Sequence, residues 1–474
     1  MYQVTIILIL TLLPLITLAE KISATQLHHE LNSPIQFDMV KPLPLHPPAK
    51  HLLDNIYKFN IQPNQTTLVQ HINQAIMQKQ WNVLIELLLQ YQKTKNYDHG
   101  LLHYALATFY YHHQQYNQAI EHYQKLLSLH PDAIYPRFDF AIALFNDYQY
   151  KQAEQQLQHL HPLLSGNIRN IAAQYLTEIK QQQRWQSYLN FQYVQTDNVN
   201  QASNVETINL YGKQFSKTAD SLPQKAQGIR YEVGITKLIN LTGHHFIQPE
   251  LNYNGVYYWN NQEYNEQSLY FGLSYLYQQA FSTWQITPFI QQNWFSNTRY
   301  NYFVGNLLSY AVTLNSKYRW HNQLKYTRKF YTDPLSASRY NGSQYDISTL
   351  LSYPISSRWL LFAGITFNYD LLKEKSSSSK KWQPMVGIKY ENKKWGCSLS
   401  LRYTQRTFNA PHYLFQYVRK DQEYQVDYAI WHHKLSWQGF LPKLHFRYQN
   451  IDSNIPAFYS RKNQEWFITL NRSF

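Results

Sequence analysis

The chain has 474 residues, with 43 Lys and Arg against 29 Asp and Glu, a formal net charge of +14 and only 15% charged residues, where soluble proteins carry about 25%. The basic excess therefore reflects scarce acids, and the single cysteine, Cys397, excludes an intrachain disulfide and a cysteine-based zinc cluster. The length excludes one small module, and the lone uncharged apolar run, near the amino terminus, excludes a polytopic helical membrane protein.

That run, Val4 to Leu18, has the length of a signal-peptide core, and Thr17 and Ala19 are small residues suited to cleavage after Ala19. Residues 1–19 are therefore expected to be an export leader, although the usual basic segment before the run is missing. No cysteine follows it, so the chain is not expected to be a lipoprotein itself. Residues 20–59 read as a mobile segment, with Lys41-Pro-Leu-Pro-Leu-His-Pro-Pro48 forming an extended linker.

From 60 to 183 the chain is rich in Leu, Gln, Ala and Tyr with helical periodicity. Leu106/Phe140, Ala107/Ala141, Tyr110/Leu144, Tyr116/Tyr150, Ala119/Ala153 and Tyr123/Leu157 are each 34 residues apart, which is the tetratricopeptide (TPR) period. Ala107 and Ala119 let paired helices approach closely, Pro131 ends a second helix, and Ile72, Ile76, Ile85 and Leu89 mark a degenerate earlier unit. Ile168 to Gln183 reads as a terminal capping helix. Such a solenoid presents a concave binding surface, for which Tyr110, Tyr116 and Tyr150 are the candidate contacts.

From 184 to 474 the period changes to two. Leu269, Phe271, Leu273, Tyr275 and Tyr277 alternate with polar or small residues, as do Leu361, Ala363, Ile365, Phe367 and Tyr369. Fourteen strands are expected, at roughly 185–195, 227–238, 245–259, 267–279, 284–296, 302–314, 318–331, 344–354, 358–370, 382–391, 395–408, 421–431, 434–449 and 463–474. Their connections are expected to alternate between short turns, the last at His432-His433, and mostly longer loops such as 196–226, 373–381 and 408–420. Trp259, Trp284, Trp320, Trp359, Trp395 and Trp466 suit interfacial girdles, and the chain closes on Trp466, Ile468, Leu470 and Phe474 along one face of a last strand. The fold class is thus an N-terminal TPR-like α-solenoid followed by a 14-stranded antiparallel transmembrane β-barrel. The solenoid and carboxyl terminus are expected in the periplasm. On this register Arg230, Glu232, Lys325, Asp370, Lys389, Arg402 and Arg447 line a hydrated lumen, because a lipid-facing charge near the midplane costs about 2–4 kcal/mol.

No nucleophile, zinc-protease or phosphate-loop motif is present, so no catalytic residue, metal site or cofactor is assigned and the chain does not read as an enzyme. The His doublets at 28/29, 112/113, 244/245 and 432/433 fall at expected turns or tails and read as solvated. Dispersed basic residues behind an export leader argue against nucleic acid.

A leader, a small TPR domain and a fourteen-stranded barrel together resemble the surface lipoprotein assembly modulators, the Slam family. The likeness covers about 60–474, and its most specific local feature is Tyr193-Val-Gln-Thr-Asp197-Asn198-Val199-Asn200-Gln201-Ala202. The resemblance implies an integral outer-membrane translocator that moves a client, a surface lipoprotein or a haemophore-like protein, to the cell surface. Outer-membrane lipids, periplasmic chaperones and the barrel-assembly machinery are further implied partners. An exopolysaccharide exporter and a passive porin or small-solute transporter are the alternatives.

Overall fold

The computed structural model of the chain describes residues 66–210, 213–315 and 317–473. The expected leader, the Pro-containing segment and Phe474 lie outside the described residues.

Seven helices come first: α1 (Thr66–Met77), α2 (Trp81–Tyr91), α3 (His99–His112), α4 (Tyr116–Leu129), α5 (Ile134–Asn146), α6 (Tyr150–Leu160) and α7 (Gly166–Gln182). They form three antiparallel pairs and a closing helix. Each pair turns in the same way. Lys79, Gln114 and Tyr148 have φ of 55°, 60° and 62°, and the following Gln80, Gln115 and Gln149 donate their N–H groups to the carbonyls of Ala75, Tyr110 and Leu144. This left-handed C-terminal cap satisfies carbonyls that a helix end would orphan. Asp98 caps α3 by accepting from the N–H groups of Gly100 and Leu101 at 2.6 and 3.2 Å. Ala107, Ala119, Ala141 and Ala153 are fully buried, so the helix backbones pack closely there. Leu84, Leu126 and Leu157 fill the spaces between them, each fully buried side chain contributing about 1.5–3 kcal/mol.

The barrel strands are β1 (Trp185–Thr196), β2 (Ala226–Lys237), β3 (His245–Tyr258), β4 (Glu266–Gln278), β5 (Ser282–Phe295), β6 (Thr298–Leu314) and β7 (Tyr318–Tyr331). They continue as β8 (Gly342–Pro354), β9 (Trp359–Leu372), β10 (Ser379–Glu391), β11 (Trp395–Pro411), β12 (Val418–His432), β13 (Leu441–Ser453) and β14 (Arg461–Ser473). Every strand is antiparallel to its sequence neighbour, and β1 pairs with β14 to close the cylinder. Leu269, Phe271, Leu273 and Tyr275 are exposed on the outside, while Ser274 and Thr287 are buried inside. The period-two pattern thus puts apolar groups toward hydrocarbon and polar groups inward.

Three expectations are corrected. The connection after β5 at the far end is only Ser296-Asn297, both at positive φ (48° and 62°), the geometry of a tight hairpin turn. Conversely, the turn after β12 at the solenoid end runs from 433 to 440, with a short 3-10 helix at His433–Leu435 and a Trp437–Phe440 bridge. As a result β13 begins at Leu441, not at 434, and loop length does not alternate strictly. Trp284, Trp320, Trp359 and Trp395 do begin β5, β7, β9 and β11 in a ring at the solenoid end, but Trp466 lies mid-strand opposite Phe446.

Candidate functional site

The lumen wall differs between its two halves. On β4–β6, amides and hydroxyls meet: Ser274 with Thr287 (2.8 Å), and Gln291 donating to Asn293 (2.8 Å), which donates to Asn301 (2.7 Å). From β7 onward charges predominate, and several of them pair. Lys329 meets Asp370 at 3.0 Å with both side chains buried, Arg447 meets Asp427 at 2.6 Å, and Lys389 meets Glu391 at 2.6 Å with His433 on the same carboxylate.

The sequence-derived lumen residues fall on this wall. Glu232 accepts from Asn190 (3.2 Å) and Asn252 (2.9 Å), with Arg230 half-buried two residues away. The Lys325 ammonium lies 5.0 Å above the Phe289 ring, a favourable cation–π arrangement. Asp370, Lys389 and Arg447 hold the pairs just described. Arg402 Nε, Gln383 Oε1 and Thr404 Oγ1 are shielded and bond to no protein atom, so water or a passing polar chain must satisfy them.

The solenoid seats on one side of the barrel's mouth. Asp147, 2% exposed, pairs with His244 at 2.7 Å and also accepts from Gln149 (2.9 Å). Lys151 donates its backbone N–H to Asn240 Oδ1 (2.8 Å) and its ammonium to the Leu241 carbonyl (3.1 Å). Phe246 of β3 and Leu276 of β4 belong to the solenoid's own apolar core, against which Leu238 also packs. The second strand is interrupted at Leu238 and resumes at Ile239–Thr242.

This junction corrects two readings. His244 is not a solvated turn histidine, and Tyr150 is not an open client contact: it is 5% exposed and meets Phe246 edge-on at 5.9 Å. Tyr116 is half-buried and stacks on Phe281 of the β4–β5 turn at 6.4 Å, so it also faces the barrel. Tyr110 stacks on His122 at 5.3 Å. No local signal marks the Asp147–His244 pair, whose members are 97 residues apart. The Gln-aromatic steps at 80/81, 115/116 and 149/150 do mark the three helix turns.

Three titrating groups stand out in the solenoid. His103 and His122 approach at 3.0 Å through their Nδ1 atoms. Burial, with Lys125 adding, holds His103 below the ordinary histidine value, and burial with His103 beside it does the same for His122. Burial pushes Asp139 up to about 7, opposed by the hydrogen bond it accepts from Tyr104 (3.1 Å).

At the far end the Asn-rich segment organises the first long loop. Asn198 is buried and brackets Ala202, donating to its carbonyl and accepting from its N–H, each at 2.8 Å. Asn200 donates to the Leu222 carbonyl (2.8 Å) and accepts from Gln224 N–H (3.1 Å), while Asp197 makes an exposed 3.8 Å pair with Lys225. The loop's Ile208 packs with Ile455, Phe458 and Tyr459 of the last loop. Beneath them Arg419, paired with Asp421 at 2.7 Å, lies over the Tyr459 and Phe408 rings.

Comparison with known proteins gives two matches to one family. The family described as surface lipoprotein assembly modifier matches residues 185–474, and its N-terminal TPR repeats match residues 55–157. The Pasteurella multocida surface lipoprotein assembly modifier is 27% identical over 415 residues, covering 82% of this chain and 80% of its own. Surface lipoprotein assembly modifier 1 of Haemophilus influenzae is 25% identical over 458 residues (93% and 92%), and the hemophilin secretion modulator of Acinetobacter baumannii is 21% identical over 441 (86% and 85%). Among solved structures, a Pseudomonas aeruginosa FadL homologue aligns at TM-score 0.34 and 8% identity, covering 61% of this chain and 90% of that one.

Proposed function

The chain belongs to the surface lipoprotein assembly modifier family, and we propose that it is an outer-membrane conduit carrying one client protein from the periplasm to the cell surface or the medium. The names of its relatives point to two client classes, surface lipoproteins and a hemophilin. The observation that carries the reading is the shared core at the barrel mouth. Because Phe246 and Leu276 are part of the solenoid's apolar cluster, the helical domain is held beside the lumen entrance, where a client it binds would already be positioned for entry. This reading places the solenoid in the periplasm.

A fourteen-stranded ring admits an extended chain or hairpin but not a folded domain, so the client crosses at least partly unfolded. The wall suits such a substrate. Its amides and paired charges offer hydrogen bonds that are easily exchanged, and shielded groups such as Arg402 Nε donate to an acceptor in passing. Alternation of opposite charges, Lys329 with Asp370 and Arg447 with Asp427, favours a mixed-charge polypeptide over an anionic polysaccharide, which a single-sign wall would serve better. The periplasm lacks ATP, so folding of the client outside supplies the drive.

The test is display on intact cells. A lipoprotein or hemophilin-like gene carried beside this one, co-expressed with the chain, should yield protease-accessible or released product. Equal product without the chain would defeat the reading.

A further inference from the structure

The inner wall of β10 and β11 carries charges that the barrel leaves uncompensated. Trp382 and Val386 of β10 and Leu401 of β11 are exposed on the lipid side, so the alternate positions Lys381 and Gln383, and Arg402, Thr404 and Arg406, face the lumen. Lys381 lies directly opposite Arg406 across the β10–β11 ladder, a like-charge pairing that destabilises a sheet. Arg402 stands on the same face of β11. Among the described residues, Lys381, Arg402 and Arg406 take no part in an ion pair, whereas Lys329, Lys389, Arg419 and Arg447 each hold a carboxylate.

The acids within reach are already engaged. Those whose charge acts on Lys381 are Asp346, Glu423 and Asp370, and those acting on Arg402 are Asp427 and Glu423. Asp346 accepts from Gln344 and Asn368, Asp370 holds Lys329, Glu423 accepts from Gln449 at 2.6 Å, and Asp427 holds Arg447. Asp421, opposite Arg406 on β12, is taken by Arg419. Arg406 donates through Nε to Ser379 Oγ (2.9 Å), which leaves its terminal nitrogens for a carboxylate.

Hydrogen-bonding capacity is idle at the same place. Thr404 is 3% exposed and Gln383 6%, and Thr404 Oγ1, Gln383 Oε1 and Arg402 Nε bond to no protein atom. Groups so shielded are costly unless a partner arrives. Gln383 Oε1 can only accept, so it needs an N–H or O–H, while the three cations need acceptors that carry negative charge. A polypeptide with acidic side chains supplies both, from its backbone amides and its carboxylates. A simple anion such as sulfate supplies acceptors alone.

We propose that Lys381, Arg402 and Arg406 form a docking lane for an acidic stretch of the client in extended form. Arg402 and Arg406 have Cα atoms about 13 Å apart along β11, and an extended chain repeats at the same distance between positions i and i+4, so the lane matches a segment with acids at that spacing. Guanidinium groups take carboxylates in bidentate fashion, which sets the register of the client chain against the wall. The acids that border the lane, Asp346, Asp421 and Glu423, repel a polymer charged at every unit, so a short acidic segment fits where a uniformly anionic glycan does not. This inference rests on the conduit reading above and gives its client a chemical feature.

The test uses the full chain in detergent micelles and a dye-labelled peptide of Gly, Ser and Thr with Asp at i and i+4 and a photoreactive leucine analogue between them. Binding, read by fluorescence anisotropy, should be competed by the unlabelled peptide, and adducts should fall on Lys380–Lys389 and Ser398–Phe408. Lys381→Gln with Arg402→Gln should weaken binding about tenfold or more, as two lost charge-assisted contacts require, while Lys381→Arg with Arg402→Lys should keep most of it. Heat-modifiable mobility shows that each variant has formed its barrel; if the Gln pair does not, the adduct map and a Lys-for-Asp peptide on the native chain decide. Undiminished binding in the folded Gln variant, equal binding of the Lys-for-Asp peptide, adducts elsewhere on the wall, or no binding to the native chain would overturn the lane. Equal competition by a uronate oligomer, or by sulfate at matched charge, would overturn it as well, by assigning these cations to a glycan track or a general anion site. Failure of the conduit reading registers separately, as client display in cells that does not depend on the chain.

Discussion

Asp147 and His244 meet at 2.7 Å across the junction of solenoid and barrel, with side-chain exposures of 3% and 13%. The pair joins the turn before α6 to the turn between β2 and β3, and so fixes where the helical domain sits relative to the lumen. Removing one member leaves the other buried without its partner, which costs about 1–3 kcal/mol for a hydrogen-bonded group. Asp147→Ala should therefore loosen the solenoid, read as faster proteolysis near Arg184, while the heat-modifiable mobility of the barrel is unchanged. Proteolysis at the native rate would show that the apolar contacts of Phe246 and Leu276 suffice.

The His103–His122 contact makes the solenoid acid-sensitive. Both folded-state values lie below the ordinary histidine value, so the fold favours the neutral rings. The associated stability is complete above the unfolded value of about 6.5 and is lost as pH falls through the lower folded values. Protection factors of α3 and α4 in the full chain, which allow for the slower intrinsic exchange in acid, should fall between pH 7 and pH 5. In His103→Gln that fall should be smaller. An identical pH response in the variant would remove the pair as its cause.

Asp139 has the opposite sign. Its folded value is raised to about 7 from 3.8, so the protonated carboxyl is favoured, and its contribution is present at low pH and declines as pH rises through 7. Asp139→Asn should slow exchange of α5 at pH 8, by a stabilisation on the order of 1 kcal/mol once water screening is allowed for. It should do little at pH 4. Loss of stability at pH 8 would mean that the Tyr104 hydrogen bond outweighs the burial.

In the lumen, Asp370→Ala strands the buried Lys329 ammonium and should lower barrel stability by about 3 kcal/mol, measured as urea resistance of the folded band in detergent. Replacing both partners with apolar residues, Lys329→Met and Asp370→Leu, should recover most of that loss. If the double variant were as weak as the single one, the pair would be contributing more than mutual neutralisation.

The helical units and the strands were legible because each is a local periodicity. Ala107, Ala119, Ala141 and Ala153 recur at the repeat spacing and are all fully buried, and alternation along β4 or β9 alone assigns its inward and outward faces. Arg230, Glu232 and Lys325 could be placed on the inner wall for that reason. The 296–297 turn and the late start of β13 escaped because turn length leaves only a weak trace in composition. Tyr116 and Tyr150 escaped for another reason: their spacing reports membership of a helix pair but not what lies against its outer face.

The sequence by itself determined a helical repeat, a membrane barrel, its strand number and the face of each side chain, since periods of 3.6, 34 and two residues are written in consecutive positions. Only the tertiary structure decided that Asp147 finds His244, that Phe246 joins the solenoid core, and that β1 meets β14 with Tyr188 opposite Ser473. Those contacts bring together segments 96 to 285 residues apart, and their geometry follows from closing the cylinder and docking the helices on its rim, to which no local pattern is sensitive.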